Sequence, residues 1–212
     1  AYNKGGNYYW ILAGTRDIHS IKAFKLNEFG LDLSPITSII NDNSVPSYIG
    51  MINLSKDFSK LTYSCCLSGG FRGAKIGDFD LISGKISNME NFVLGEVYDC
   101  VFSNDNTFIY FTEFWANSRL MRYNTIDKSS ITLDTQIGNY GICAVEMGPD
   151  GNIYVANQGR NSIGVIENVG KNNEIYNKNK FVFKSPNNVK NGLQSSNRIY
   201  GIKDKSNVEI LY

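Results

Sequence analysis

Histidine is almost absent from this sequence, which contains only His19, and none of its cysteines forms a C-x-x-C pair. Protein zinc sites are built mainly from these two residue types, so a zinc site is not expected. A charge excess is also missing, because 21 basic residues are balanced by 20 acidic ones and the net charge is +1. This balance argues against nucleic acid or an anionic membrane as the partner.

Long apolar runs are lacking too. No segment approaches the roughly 18 unbroken apolar residues of a membrane helix, so no membrane insertion is expected. The chain has no signal peptide and begins at Ala1 rather than Met, and we therefore expect a mature or truncated product. Proline is rare, with 4 residues, whereas 20 Gly, 13 Tyr and 12 Phe favour β-strands and tight turns.

The few cysteines do not define a disulfide framework. We interpret them as small apolar strand residues, and the vicinal pair would reach disulfide geometry only with strain. Their disulfide state, and with it the redox compartment, is left open by the sequence. The four residues are Cys65, Cys66, Cys100 and Cys143.

A repeated unit is the strongest signal in the sequence. Three segments carry an Asp turn followed by a β-rich triplet, and the triplets Leu61–Tyr63, Ile109–Phe111 and Ile153–Val155 start 48 and 44 residues apart. A strand precedes each Asp turn, and two more strands follow each triplet. Four strands in about 45 residues are typical of one β-propeller blade, and we find no amphipathic helical pattern. The sequence therefore predicts an all-β propeller with four-stranded antiparallel blades.

The repeat divides the whole chain, residues 1–212, into blades of a single propeller. We expect an incomplete piece of a ring of six to eight blades, with seven the favoured number. The remaining segment would form a partial or degenerate blade. The predicted blades span about 1–45, 46–94, 95–138 and 139–183, and the remainder is 184–212.

The repeats resemble those of secreted or cell-surface β-propellers of the Bacteroidetes. The segments that carry the resemblance are "LSKDFSKLTYS", "FSNDNTFIYFTE", "MGPDGNIYVANQGRNSIGVIENVG" and "GNYYWILAGTRDIHSIKAFKLNEFGL". Such proteins often travel through the type IX secretion system, which implies a location outside the outer membrane. The segment Gly192–Ser196, "GLQSS", departs from the "GLPNF" of that family.

One column of the repeat suggests a ligand site. The position just after each triplet strand holds Cys65, Glu113 and Asn157, and equivalent positions of successive blades lie at equivalent radius and height. A carboxylate and an amide there suit a ligand or a hard cation such as Ca²⁺. The segment "IYFTEFWANSRLMRY" is also similar to repeats of NHL-, lyase- and lactonase-like propellers, which implies a central metal. The set is incomplete, so we predict no cofactor, with a divalent cation as the alternative.

Two further residues are candidates for contact with a partner. Trp115 lies in the polar loop "EFWANSR", and Arg119 follows it closely, a pairing common at binding surfaces. The Asp turns, by contrast, have a structural explanation, since Asp57, Asp105 and Asp150 can accept hydrogen bonds from backbone amides two residues on. Glu113 and Asn157 can likewise serve to close turns.

The sequence contains no complete catalytic set, and no catalytic residue or metal ligand is assigned. It favours a non-enzymatic propeller module of a secreted or cell-surface bacterial protein that provides a platform for protein or glycan partners. One alternative is a metal-dependent lactonase- or lyase-like propeller enzyme. Another is a component of a secretion or gliding assembly, as part of a larger polypeptide or complex.

Overall fold

The computed structural model describes residues 1–15, 20–40, 49–66, 73–113, 117–137 and 141–183. These residues form β-strands, turns and loops and contain no helix, which confirms the predicted all-β class. Within these ranges, nothing resembles a helix long and apolar enough to cross a membrane. The predicted degenerate unit at 184–212 lies outside the described residues, and the predicted blade number stays a prediction.

Within the described ranges, seventeen strands form four antiparallel sheets, and apart from β5 the order of strands in each sheet follows the chain. In the first sheet, β4 (Gly30–Leu31) and β5 (Ile36–Ile39) both pair with β3 (Ser20–Asn27) and so share the outer position. The strands of this sheet are β1 Tyr2–Asn3, β2 Tyr8–Thr15, β3 Ser20–Asn27, β4 Gly30–Leu31 and β5 Ile36–Ile39.

The other three sheets each have four strands in sequence order, as the repeat predicts. The second sheet contains β6 Ile49–Leu54, β7 Lys60–Cys66, β8 Gly73–Phe79 and β9 Ile86–Leu94. The third contains β10 Val97–Phe102, β11 Phe108–Glu113, β12 Asn117–Asn124 and β13 Ser130–Ile137. The fourth contains β14 Ile142–Met147, β15 Ile153–Asn157, β16 Ser162–Glu167 and β17 Ile175–Val182.

The sheets pack face to face as propeller blades, numbered here 1 to 4 in chain order. The first strand of blade 3, β10, contacts the first strands of both neighbours, β6 and β14. Three apolar clusters fill the spaces between blades 1 and 2, 2 and 3, and 3 and 4. Each sheet therefore buries apolar side chains on the faces that meet a neighbour, which a lone four-stranded sheet cannot do.

The triplet residues explain why the central strands lack polar–apolar alternation. In blade 3, Ile109 and Phe111 join the cluster shared with blade 2, whereas Tyr110 joins the cluster shared with blade 4. All three are fully buried. Successive residues of a strand point to opposite faces, and both faces of this blade are covered.

The Asp turns have the structural role that the sequence predicts. The carboxylates of Asp57, Asp105 and Asp150 accept hydrogen bonds from the backbone N–H groups two residues on, over 3.0, 3.1 and 3.2 Å. In the last turn Gly151 adopts a positive φ of 81°, a conformation that glycine tolerates. The side-chain amide of Asn106 also donates to Asp57 across the boundary between blades 2 and 3, over 3.0 Å.

The Asp57 turn predicts a defined pH dependence of stability. Burial raises the pKa of Asp57, but hydrogen bonds from Ser55, Ser59 and Asn106 outweigh it and bring the pKa from 3.8 to about 2. A carboxyl group with a depressed pKa stabilises the fold above its unfolded pKa and ceases to do so as pH falls through the folded value. We therefore expect the Tm difference between wild type and Asp57→Asn to be complete above about pH 4 and to narrow toward about pH 2.

Thermal unfolding followed by circular dichroism between pH 7 and pH 2 measures this difference. The side chain is exposed, so the expected change in Tm is a few degrees at most. A Tm difference that stays constant over the whole range would show that the carboxylate does not stabilise the turn through its charge.

Candidate functional site

The predicted ligand column lies at the ends of equivalent strands in three successive blades. Cys65, Glu113 and Asn157 pair with Gly50, Val97 and Ile142 on the preceding strands. The backbone thus places the three residues in corresponding positions, as the repeat predicts. The side chain of Cys65 lies outside the described part of the structure.

Glu113 forms an ion pair with Arg119, the residue directly opposite it on β12. The Glu113 side chain is 13% exposed and the Arg119 side chain 45% exposed, so the pair lies at the surface with its cationic partner toward solvent. The pair closes the β11–β12 hairpin, in agreement with the structural role considered for Glu113. Trp115, in the loop of this hairpin, is outside the described residues.

Asn157 is fully buried, and its side-chain amide is used within the fold. Its oxygen accepts hydrogen bonds from Gln136 Nε2 at 2.9 Å and from the Tyr176 hydroxyl at 3.3 Å, and its nitrogen donates to the Lys178 carbonyl at 3.1 Å. Gln136 belongs to β13 of blade 3, so this amide connects blades 3 and 4. Burial is the main cause that raises the pKa of Tyr176 well above its ordinary value, so the phenol stays neutral.

The structure brings together two of the four predicted contact residues, Glu113 and Arg119. Asn157 lies on the next blade with hydrogen-bond partners of its own. Whether any of the four residues binds a ligand stays a prediction. Among the described residues, no three His, Cys, Asp or Glu side chains form a group that could hold a metal ion. His19 lies outside those residues.

Asp99 is a polar centre that the sequence interpretation did not identify. It is 2% exposed and lies on β10, the first strand of blade 3. Its carboxylate accepts hydrogen bonds from the side chain of Asn53 in blade 2 at 2.8 Å and from the Val145 N–H in blade 4 at 3.1 Å. The Cys100 N–H donates to it as well, at 2.8 Å. An aspartate within the otherwise apolar strand "VYDCVF" is the sequence signal that could have identified this position.

The two cysteines whose side chains are described, Cys100 and Cys143, are buried thiols. This agrees with their interpretation as apolar strand residues. Burial, with the negative charge of Asp99 as a further cause, raises the pKa of the Cys100 thiol well above its ordinary value. A buried thiol of this kind is a poor nucleophile, because the thiolate is the reactive form.

A cleft of about 300 Å³ lies between blades 2 and 3, at the turn end of the strands and away from the ligand column. Its charged groups are paired with one another. Lys60 binds Asp78, and Lys128 binds Glu90 at 2.7 Å. These exposed ion pairs are typical of a solvated surface and add little to stability.

Solved structures with a similar fold include lactonase-like propellers. Periplasmic gluconolactonase of Pseudomonas aeruginosa has a TM-score of 0.51 at 15% identity, covering 75% of this chain and 50% of that one. A 6-phosphogluconolactonase-like protein of Bacteroides uniformis has a TM-score of 0.55 at 13% identity, covering 87% and 54%. Hydrazine synthase of Kuenenia stuttgartiensis has a TM-score of 0.56 at 12% identity, covering 89% and 54%.

These similarities establish the propeller fold of the chain. The chain spans about half the length of the solved structures that it matches. No protein-family model and no curated protein matches the sequence. The predicted membership in the Bacteroidetes surface propellers therefore stays a prediction.

Proposed function

We propose that this chain is a non-enzymatic propeller module that presents loops to a protein or glycan partner. The observation that carries the proposal is that the side chains of Glu113 and Asn157, the candidate ligand residues, already bind other residues of this chain. The Asn157 amide has three hydrogen-bond partners in a fully buried position, and the Glu113 carboxylate is paired with Arg119. Such groups stabilise a rigid scaffold rather than supply a base or nucleophile.

The contact surface that we propose is the β11–β12 hairpin. Arg119 keeps 45% of its side chain exposed although it is held by Glu113. A guanidinium with a fixed orientation suits bidentate hydrogen bonding to carboxylate groups, which acidic proteins and acidic glycans share. Trp115, four residues earlier in the sequence, would add an aromatic contact.

The location that we propose is the outer surface of a bacterium or the medium around it. The support is the resemblance of the repeats to secreted propellers of the Bacteroidetes, and it covers most of residues 7–170. A role within a secretion or gliding assembly is compatible with the same contact surface.

A lactonase-like activity is the second candidate, favoured by the propeller fold shared with two proteins named as lactonases. It requires Glu113 and Asn157 to act on a ligand or a divalent cation. The test is hydrolysis of glucono-δ-lactone by the chain, with and without Ca²⁺, Mg²⁺, Mn²⁺ or Zn²⁺. We expect no turnover above the uncatalysed rate. Turnover that Glu113→Gln abolishes would overturn the non-enzymatic proposal.

Binding to immobilised acidic and neutral polysaccharides tests the proposal that the module binds a glycan. We expect retention on the acidic matrix and at least a threefold weaker retention of Arg119→Ala. The matched control is Lys180→Ala, which removes the cation of another exposed ion pair, with Glu167 on blade 4. Equal losses in both variants would indicate nonspecific charge attraction and contradict a site at the β11–β12 hairpin.

A further inference from the structure

Three successive blades carry an exposed apolar side chain at the same position of the turn that follows their third strand. Each of these turns contains an Asn or Asp, and the apolar residue comes two positions later. Phe29 of blade 1 is 90% exposed, Ile82 of blade 2 is 79% exposed and Ile126 of blade 3 is 77% exposed. Exposed apolar residues that are scattered singly are ordinary, whereas recurrence at one position of the repeat indicates a shared surface. We call these three side chains the apolar tips.

One hydrogen bond holds each apolar tip in the same way. The backbone N–H of the tip residue donates to the side-chain oxygen of the residue two positions earlier. The acceptors are Asn27 at 2.9 Å, Asp80 at 2.8 Å and Asn124 at 2.9 Å. An N–H group that leaves water without a hydrogen-bond partner is costly, and here the turn already supplies that partner. The tips can therefore enter an apolar medium without exposing an unsatisfied N–H group to it.

Ile82 and Ile126 belong to blades that have a described neighbour on both sides. Apolar clusters fill the spaces between blades 1 and 2, 2 and 3, and 3 and 4. A further blade would join this array beside blade 1 or blade 4, so it would not cover the turns of blades 2 and 3. These two tips therefore lie at the surface in a longer propeller as well.

Blade 4 departs from the pattern. Val169, in the turn between β16 and β17, is half-buried and packs in the cluster between blades 3 and 4. The next residue, Gly170, donates its N–H to the Tyr110 hydroxyl of blade 3 at 3.0 Å. This turn is thus folded onto blade 3, and the shared surface belongs to blades 1 to 3.

The arrangement of the apolar tips suits a flat partner. Equivalent positions of successive blades lie at equivalent radius and height, so the tips project from one side of the propeller along an arc. A planar surface can contact all three tips at once and needs no separate pocket for each side chain. A lipid bilayer has this shape, together with an apolar interior that side chains can enter.

The charges next to the tips of blades 2 and 3 are balanced. The turn of Ile82 also contains Asp80 and Lys85, and the turn of Ile126 contains Asp127 and Lys128. A zwitterionic lipid headgroup carries one ammonium group and one phosphate group, so it can pair with both the carboxylate and the ammonium group of such a turn. An anionic bilayer would repel the two carboxylates. The charges therefore favour a zwitterionic lipid.

We propose that the apolar tips insert into the interface of a zwitterionic lipid bilayer and dock the propeller on it as a peripheral protein. Burial of the three side chains between headgroups and acyl chains drives the contact. Strand β12 runs from the β11–β12 hairpin to the turn of Ile126, so the docked propeller holds the hairpin away from the lipid. The proposal goes beyond the proposed function and uses the opposite end of the blade, so its failure leaves that function unchanged.

Cosedimentation with phosphatidylcholine vesicles at up to about 5 mM lipid tests the contact. We expect the wild-type chain to bind, and Phe29→Ser, Ile82→Ser and Ile126→Ser each to weaken partitioning at least about threefold. The triple variant should weaken it at least about thirtyfold, because the tips lie on separate blades and contribute independently. Binding should be unchanged between about 0.05 and 0.5 M NaCl, since apolar insertion rather than net charge drives it.

Leu94→Ser is the matched control, because Leu94 is 73% exposed but lies at the end of β9 opposite to the turn of Ile82. This variant should bind vesicles like wild type, and a loss equal to that of Ile82→Ser would contradict a surface built from the apolar tips. Arg119→Ala, which removes the cation of the proposed partner contact, should also bind vesicles like wild type. Far-ultraviolet circular dichroism establishes that each variant folds.

Three further results would overturn the proposal. The first is a wild-type chain that stays in the supernatant at about 5 mM lipid. The second is binding that requires phosphatidylglycerol in the vesicles and disappears at high salt, which would indicate charge attraction. The third is self-association in lipid-free sedimentation velocity that the triple variant abolishes, which would assign the apolar tips to a contact between proteins.

Discussion

Asp99→Ala is expected to lower the free energy of unfolding by about 3 to 5 kcal/mol, an effect typical of breaking a buried charged hydrogen-bond network. The side chain is 2% exposed and joins three blades. Without it, the Asn53 amide and the Val145 N–H, which donate to separate carboxylate oxygens, lose an acceptor in the protein interior. Water does not readily replace that acceptor in a tightly packed interior.

Asp99→Asn separates the loss of the acceptor from the loss of volume. The amide oxygen can still accept a hydrogen bond from either Asn53 or the Val145 N–H. The amide nitrogen takes the place of the second carboxylate oxygen and faces the other donor, from which it cannot accept. We expect a destabilisation of about 2 to 3 kcal/mol, smaller than that of the alanine variant. Both variants should lose cooperativity between blades, because the carboxylate connects blade 3 to both of its neighbours.

Urea unfolding followed by tryptophan fluorescence and circular dichroism measures these differences. The matched control is Asp127→Ala, which removes an exposed carboxylate that accepts from the Ser129 N–H at 2.9 Å within one turn. We expect little change in that variant. An Asp99→Ala protein within about 1 kcal/mol of wild type would show that the carboxylate does not hold the blades together.

The local parts of this fold follow directly from the sequence. An aspartate that accepts from the amide two residues on needs only a short stretch of chain, and so Asp57, Asp105 and Asp150 are identifiable from their turns. The segment "ISNMENFVL" can be recognised as a strand because turn residues flank it on both sides, and in the structure it forms β9. Repetition of these local signals every 44 to 48 residues is sufficient to predict the propeller.

The polar contacts between blades cannot be predicted from the sequence in the same way as the turns, because they depend on how the blades pack against one another. Asp99 accepts from a side chain and from a backbone amide that are each 46 residues away in the sequence. Asn157 occupies the column that the repeat predicts, but its partner Gln136 lies on the outer strand of the preceding blade. A repeat alignment shows which positions are equivalent but not which side chains meet across a blade boundary.

Phe111→Ala is expected to lower the free energy of unfolding by about 3 to 5 kcal/mol, the range for loss of a large aromatic side chain from a core. Phe111 is 0% exposed and lies in the cluster between blades 2 and 3. Its ring packs edge-to-face with the ring of Phe92 from blade 2, with centroids 5.8 Å apart and an interplanar angle of 81°. Truncation therefore removes an aromatic contact and leaves a cavity between two blades.

The control for this prediction is the same chemical change at an exposed phenylalanine. Phe29 is 90% exposed in the turn between β3 and β4, so Phe29→Ala should change the free energy of unfolding by less than about 0.5 kcal/mol. Phe111→Leu should fall between the two, because leucine retains most of the apolar area and leaves a smaller cavity. If Phe111→Ala and Phe29→Ala were equally mild in urea unfolding, the interface between blades 2 and 3 would not be a packed core. The stability of the chain would then reside within single blades rather than in the packing between them.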